Sequence, residues 1–169
     1  MSNNSVDNID FSATTIKFAI IGSIVHVLFC LLFYFSGLKS VAWKDVPFLI
    51  LNVCLIILYI KEISSKMEYK SFGLLFKNGF TLSLFFALTA LVFVVLYLNL
   101  IDLNYPDDMF VSTKETLEKF GMNADKVEAA MEKESIKSPS YFYLTAFFTK
   151  LFCCTIISAI GAAVFKKEQ

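Results

Sequence analysis

The feature that most constrains this chain is a set of four long apolar runs separated by polar sequence. A helix needs about 20 apolar residues to cross the hydrocarbon core of a bilayer. The second run is shorter than this, so we expect it to borrow flanking residues or to thin the bilayer locally. The predicted membrane spans are residues 18–35, 46–60, 79–101 and 141–165.

The composition favours the same interpretation, because 57% of the residues are hydrophobic, against about 45–50% in a typical soluble domain. The first run does not have the features of a cleaved signal peptide, since Asp7 and Asp10 precede it and no basic residue comes before Lys17. The sequence therefore predicts one domain over residues 1–169, an all-α, integral membrane four-helix bundle.

The lysines near the span ends predict the orientation of the bundle. They divide equally between the two sides, but those on one side crowd into the short flanks at the N-terminus, the 61–78 segment and the C-terminus. Most of the others lie in a long, acidic 102–140 segment, remote from a span. Because short flanks dominate orientation, we expect both termini in the cytoplasm and the chain in the inner membrane.

The segment between the third and fourth spans has helical spacing of its own. Gly121 is a natural helix stop and Asn123 a natural start, which predicts an extramembrane helical hairpin over residues 107–134. Either of two roles fits it, a packing lid with a solvated charged face or part of a ligand site.

A charged residue interrupts the fourth span in the stretch FFTKLFCC, where Lys150 lies about 13 Å from the outer end. His26 in the first span and Asn52 in the second fall at a similar depth, whereas the third span offers only Thr89, somewhat deeper. These positions predict an intramembrane polar layer of His26, Asn52 and Lys150.

Two interpretations of this layer remain open. In the first, Lys150 is a structural amine that reaches toward the outer surface or pairs with Asp45 or Asp102 at the outer span ends. In the second, Lys150 serves a substrate or an ion, as intramembrane ionisable residues often do.

Small and polar residues recur at helical spacing in two spans, and such stripes let helix backbones approach closely. The pattern predicts that the first and fourth spans pack against each other. The stripes are Ala19, Gly22, Ser23, His26 and Cys30 in the first span and Cys154, Ser158, Gly161 and Ala162 in the fourth.

The 61–78 segment carries a candidate lipid-facing basic stripe. On a single helix, Lys66, Lys70 and Lys77 would fall within about 40° of one another. Such a stripe could attract anionic lipid, although ordinary enrichment of lysine at cytoplasmic span ends explains the same residues.

The sequence offers no motif for catalysis or for metal binding. The four cysteines lie in apolar runs without the spacing of a zinc site, which predicts that they are small core residues. No sequence of the H-E-x-x-H or G-x-S-x-G type occurs. The formal net charge of zero and the absence of arginine give no indication of nucleic-acid binding. We therefore predict neither an enzyme nor a cofactor or metal site.

Three features together are similar to a known family. SFGLLFKNGF (71–80) leads into the third span, LEKFGMNADKVEAAMEKE (117–134) fills the outer segment, and a lysine pair closes the chain. The chain resembles the domain-of-unknown-function family 4199, small four-span bacterial membrane proteins found mostly in Bacteroidota. Since that family has no assigned activity, the resemblance implies the architecture and no catalytic residue.

The sequence thus favours a structural, assembly or accessory component of the membrane. Its expected surroundings are the lipid bilayer together with a membrane-protein partner or further copies of itself, and no nucleic acid. The alternative is an oligomeric channel or transporter component that uses the polar layer around Lys150.

Overall fold

The computed structural model describes residues 12–37, 45–123 and 138–167, and the regular structure within these ranges is entirely helical. The helices are α1 (Ser12–Phe35), α2 (Asp45–Lys66), α3 (Phe72–Leu96), which continues into a π-helical turn (Tyr97–Ile101), α4 (Tyr105–Lys119) and α5 (Pro139–Phe165).

Four of these segments are long and apolar enough to cross a membrane, namely α1, α2, α3 with its π-helical turn, and α5. Large apolar side chains cover their outward faces, and Leu28 and Leu32 on α1 are both more than half exposed. In water such a surface would be unfavourable, whereas lipid solvates it. The chain is an integral membrane protein built as an all-α helical bundle.

The second and third spans are longer than their apolar runs suggested. Helix α2 continues six residues past the predicted end at residue 60, to Lys66. Helix α3 begins at Phe72, because the Ser71 hydroxyl accepts a hydrogen bond from the Leu74 amide (3.2 Å) and caps the helix. The connection between the two helices is therefore short.

Helix α3 is the centre of the bundle, since it packs against α1, α2 and α5, and most extensively against α5. Among the described residues α1 and α5 barely touch, so the prediction that the first and fourth spans pack together is wrong. Their small residues do face inward, but toward other helices. Gly22 of α1 lies against Phe86 of α3, and Ser158 of α5 lies against Gly79 of α3. A stripe of small residues identifies the packing face of a helix but does not identify which helix packs against it.

The half of the bundle in which α1 begins and α5 ends, which we call the terminal end, is closely packed. Tyr59 of α2 is fully buried there and shares a hydrogen bond with Thr15 of α1 (2.7 Å). Just beyond it, Lys66 donates a hydrogen bond to Thr14 (2.8 Å). Other fully buried side chains of this core are Ile56, Ile60, Ile63, Leu75, Leu82 and Cys154.

Helix α4 forms the first half of the predicted hairpin and ends where the sequence indicated. Gly121 has a φ of +80°, and its amide donates to the Glu118 carbonyl (2.9 Å) while the Met122 amide donates to that of Leu117 (3.2 Å). This pair of bonds is a Schellman motif, which requires the left-handed backbone that glycine adopts most readily. The predicted second helix of the hairpin lies outside the described residues.

Candidate functional site

The opposite half of the bundle, which we call the α4 end, contains a cavity of about 560 Å³. All four spanning helices line it, and α4 contributes Tyr105 and Met109. The helices α1 and α5 barely touch, yet residues of both line the cavity. The bundle is therefore packed at one end and hollow at the other.

His26, Asn52 and Lys150 all line this cavity. They come from α1, α2 and α5, and the structure brings these three residues of the predicted polar layer together in one place. Thr89, the deeper candidate in α3, does not line the cavity and instead shares a hydrogen bond with Ser23 of α1 (2.8 Å). That bond joins α1 and α3 on the side of the cavity that faces the terminal end.

The His26 ring is held on one side of the cavity by aromatic neighbours. Its centroid lies 5.1 Å from that of Phe48 and 5.8 Å from that of Phe93, the latter in an edge-on contact. The Nε2 atom lies 3.9 Å from the Cys30 thiol. The Nδ1 atom is buried and has no hydrogen-bond partner in the part of the chain that the structure describes. A buried polar atom without a partner is costly, which makes Nδ1 a ready contact for a bound molecule or water.

Asn52 is the most deeply buried of the three, with only 9% of its surface exposed. Its side-chain amide donates to the carbonyl oxygen of Phe48 (2.6 Å), one turn earlier on α2. This bond ties the side chain to its own helix and fixes an amide group at the cavity wall.

Lys150 is half-buried and is the one lining residue with an amine group at its tip among those the structure describes. Of the two acids that the sequence offered as partners, Asp102 is buried and accepts a hydrogen bond from the Tyr97 hydroxyl (3.3 Å). The side chain of Asp45 lies outside the described residues.

Sequence reasoning missed the threonines on the cavity face of α5. Thr145 and Thr149 line the cavity beside Lys150, one turn apart on the same face as Ala146 and Cys153. Their i, i+4 spacing was visible in the sequence, but their hydroxyls are too common in membrane helices to stand out.

The π-helical turn at the end of α3 is a second feature that the sequence did not indicate. The Asp102 amide donates to the Tyr97 carbonyl (2.9 Å), a bond that spans five residues. Tyr97 and Leu98 at the start of this turn are buried and line the cavity. Single π-helical turns within α-helices are frequent at functional sites.

The four cysteines occupy three different environments, so the prediction that all are core residues holds for Cys154 alone. Cys54 is exposed on the surface of α2, and Cys30 and Cys153 line the cavity from opposite sides of the bundle. Within the described ranges no three His, Cys, Asp or Glu side chains gather closely enough to hold a metal ion.

The basic stripe predicted for the 61–78 segment is not a single helical face. Lys66 ends α2, Lys70 lies in the connection, and Lys77 belongs to α3. The helical-wheel comparison fails because it assumed one continuous helix. Lys66 also forms an ion pair with Glu62 (2.9 Å).

Comparison with known proteins identifies the family of this membrane bundle. The model of a family described as a protein of unknown function (DUF4199) matches residues 17–167, most of the chain. The chain belongs to the DUF4199 family. No curated protein and no solved structure matches this DUF4199 protein significantly. The assignment agrees with the resemblance seen in the sequence and assigns no activity to the cavity.

Proposed function

We propose that this DUF4199 protein is a non-enzymatic accessory protein of the bacterial inner membrane that binds a small amphiphilic molecule within its bundle. The observation that carries the proposal is the cavity of about 560 Å³ on which His26, Asn52 and Lys150 converge. Binding cavities for small molecules measure about 300–1,000 Å³ and combine apolar walls with a few polar groups.

The placement of the polar groups supports binding over a purely structural role. An ionisable side chain within a span is expensive, and such residues mark functional sites more often than other residues do. Here the lysine and the histidine lie on helices that barely contact each other, and both face the same hollow. Helix packing alone would not require that arrangement.

The lining supports binding over catalysis. Hydrolytic and transfer reactions use a nucleophile with a base and a group that orients it. The Cys30 thiol lies 3.9 Å from His26 Nε2. None of the lining residues, all in the described part of the chain, is an acid that could orient the imidazole for catalysis. An ammonium, an amide and hydroxyls among aromatic side chains fit the recognition of a ligand.

A channel or transporter component remains the alternative, and Lys150 is the observation that favours it. The tightly packed terminal end opposes a continuous path through a single chain, because Ile56, Tyr59 and Ile60 are fully buried between the helices there. A path would need an oligomer. Ion flux through liposomes that contain the purified protein would favour this alternative.

We further propose that the terminal end faces the cytoplasm. The start of α1 and the end of α5 lie at the same end of the bundle, where the Lys167 amide donates to the Lys70 carbonyl (3.2 Å). Lys17, Lys66, Lys70 and Lys166 lie at this end, and lysine enrichment marks the cytoplasmic side.

Filling the cavity tests the binding function. Ala146 lines the cavity, whereas Ala163 of the same helix is exposed on the outer face. Native mass spectrometry would compare Ala146→Phe with the matched control Ala163→Phe, each extracted from membranes in a mild detergent. We expect a bound small molecule in the parent protein and in Ala163→Phe, and its loss from Ala146→Phe. A parent protein without bound molecules, or an adduct that Ala146→Phe retains, would contradict the proposal.

A further inference from the structure

The cavity is open on one side, and the exposure of its lining residues shows which side. Of the lining residues, all in the described part of the chain, four are exposed, and these belong to α2 and α5: Val46, Leu49, Thr145 and Thr149. The lining residues that α1, α3 and α4 contribute are buried or half-buried. The opening therefore lies between α2 and α5, and we call it the lateral opening.

The same two helices are in close contact at the terminal end. A Cβ atom added to Gly161 of α5 would lie 2.7 Å from Ile60 Cδ1 and 3.1 Å from Ile57 Cδ1, both on α2. A small residue lets two helices approach each other in this way. Toward the α4 end the cavity is lined by Leu49 from α2 and by Thr149 from α5. The helices are thus joined at one end, and the lateral opening is at the other.

Packing covers the cavity at both ends of the bundle. At the α4 end, the Tyr105 ring contacts Tyr97 of α3 (centroids 5.3 Å apart) and Phe142 of α5 (6.2 Å), and all three residues line the cavity. At the terminal end, side chains such as Tyr59 are fully buried between the helices. The direct route into the cavity is therefore from the side.

The lateral opening faces lipid. Its two sides belong to the spanning segments Val46–Lys66 and Pro139–Phe165, and Thr149 lies about 15 Å from the start of α5. Val53, one turn after Leu49, and Phe148, next to Thr149, are exposed apolar residues. Hydrocarbon solvates such residues at this depth. The molecules beside the opening are therefore lipid chains.

The wall that α3 contributes suits a hydrocarbon chain. Phe93, Val94 and Leu98 line the cavity and are buried or half-buried. The atoms that line an unfilled apolar space lack van der Waals partners on one side. A chain that enters from the bilayer leaves one apolar environment for another and supplies those contacts.

From the position of the opening and the character of this wall, we infer that the ligand is a lipid of the surrounding bilayer, which inserts a hydrocarbon chain sideways between α2 and α5. The lateral opening admits the chain, and the α3 wall contacts it. The inference rests on the proposed binding function and specifies the class of ligand and its route into the same cavity.

Photolabelling of the full chain in vesicles tests the inference. The vesicles consist of phosphatidylcholine, a small fraction of which carries a diazirine on one acyl chain, and peptide mass spectrometry locates the adducts. We expect adducts on Phe93 and Leu98, which line the cavity, and on Val92, which is 58% exposed and does not line it. Val92 is the internal reference, because lipid beside the bundle reaches it without entering.

A bulky side chain beside the opening should close it. Leu49→Trp has a matched control in Leu58→Trp, because the two leucines of α2 are similarly exposed (48% and 53%) and only Leu49 lines the cavity. We expect Leu49→Trp to lose the Phe93 and Leu98 adducts and to keep the Val92 adduct, whereas Leu58→Trp keeps all three. Thr149→Trp, on the α5 side of the opening, should behave as Leu49→Trp does.

The outcomes separate this inference from the proposed function. A parent protein labelled on Val92 but not on Phe93 or Leu98 would overturn lipid entry, and the binding function would stand if Ala146→Phe still removed a bound molecule. Cavity adducts that Leu49→Trp and Thr149→Trp both retain, or that Leu58→Trp also loses, would overturn the opening between α2 and α5. Absence of cavity adducts together with no effect of Ala146→Phe would overturn the binding function itself.

Discussion

Lys150 shows at the scale of one residue how the bundle accommodates a charge. A lysine at the centre of a span costs about 2.5–3.5 kcal/mol on insertion scales. Here the side chain faces a cavity that also holds His26 and the threonines of α5, so its ammonium has polar surroundings. The long apolar stem can meanwhile contact the walls. The residue is therefore tolerated in the membrane.

Removing this charge should not harm folding. Lys150→Met keeps most of the stem and removes the cost of desolvating the ammonium, so we expect an unchanged or higher melting temperature in detergent. Replacement of buried charges by apolar side chains is commonly neutral or stabilising by about 1–4 kcal/mol. Lys150→Glu should melt lower, since it would place a second carboxylate in the half of the bundle that buries Asp102. A large loss of stability in Lys150→Met would show that the ammonium is an essential donor in the fold.

Gly79 is a residue at which α3 and α5 approach each other closely. A Cβ atom there would lie 2.8 Å from the Ser158 Cβ, a distance that real Cβ contacts essentially never show. We expect Gly79→Ala to destabilise the bundle by about 1–3 kcal/mol, because a buried site would be overpacked. Gly73→Ala is the matched control on the same helix, since outside the adjacent residues and the nearby backbone of α3 no atom lies within 4 Å of the added Cβ.

Thermal unfolding in detergent would compare the two variants. The control should be neutral or stabilised by up to about 1 kcal/mol, as alanine favours helix more than glycine does. Equal melting temperatures of Gly79→Ala and Gly73→Ala would mean that α3 and α5 lie farther apart at Gly79 than the structure shows.

At the scale of elements, α4 is the least buried of the described helices, since each of its residues is exposed or half-buried. It nevertheless contacts the bundle, since Tyr105 packs edge-on against Tyr97 with centroids 5.3 Å apart. Asp107 and Asp108 lie in its first turn, where negative charge favours a helix, and Lys119 lies in its last. These charges at the two ends indicate that α4 is a separate helix with defined first and last turns.

Amide hydrogen exchange would test this helix directly. We expect amides of 109–119 to exchange more slowly than unstructured amides, and more rapidly than those of α3 in the bundle, because α4 has few buried contacts. Exchange at the rate of an unfolded peptide throughout 109–119, in a sample whose α3 amides remain protected, would contradict the helix.

Comparing elements also shows what the sequence could and could not predict. That His26, Asn52 and Lys150 line one cavity was predictable, because a polar residue in an apolar run is conspicuous and a helix rises by a fixed distance per residue. The partner of each helix was not, since small residues such as Gly22 and Ser158 indicate a packing face alone.

The breaks in helices were a second source of error. The lysine stripe was wrong because the connection between α2 and α3 falls between its members, where only the Ser71 cap gives a local signal. The π-helical turn over Tyr97–Ile101 contains no proline or glycine, so none of its residues marks the break in the sequence.

At the scale of the whole molecule, the bundle combines a dense half and a hollow half. The terminal end is joined by buried contacts such as Tyr59 with Thr15, whereas the α4 end encloses the cavity. A rigid half can hold the helices in place while the other half accepts a ligand, since close packing resists deformation. The proposed orientation directs the hollow half away from the cytoplasm.

Thiol labelling in intact cells tests that orientation. In a background with the native cysteines replaced, a single Tyr69→Cys variant reports the connection between α2 and α3, and a single Glu118→Cys variant reports α4. Both positions are exposed. We expect a membrane-impermeant reagent to label the α4 site alone, and both sites after the cells are opened. Labelling of the Tyr69 site alone in intact cells would show the inverse orientation.

The proposed function depends on α1 and α5 facing each other across the cavity, and one cross-linking measurement tests this geometry most directly. Cys30 of α1 and Cys153 of α5 both line the cavity, whereas the adjacent Cys154 is fully buried in the packed core. Neighbouring residues on a helix point about 100° apart, so the two thiols of α5 are matched probes.

The measurement uses a short bifunctional thiol reagent on two variants that both carry Cys54→Ala. The first also carries Cys154→Ala and retains the Cys30–Cys153 pair; the second carries Cys153→Ala and retains the Cys30–Cys154 pair. We predict an intramolecular cross-link, located by peptide mass spectrometry, in the first variant and none in the second. A cross-link in the second variant alone, or equal cross-linking in both, would contradict the cavity between α1 and α5.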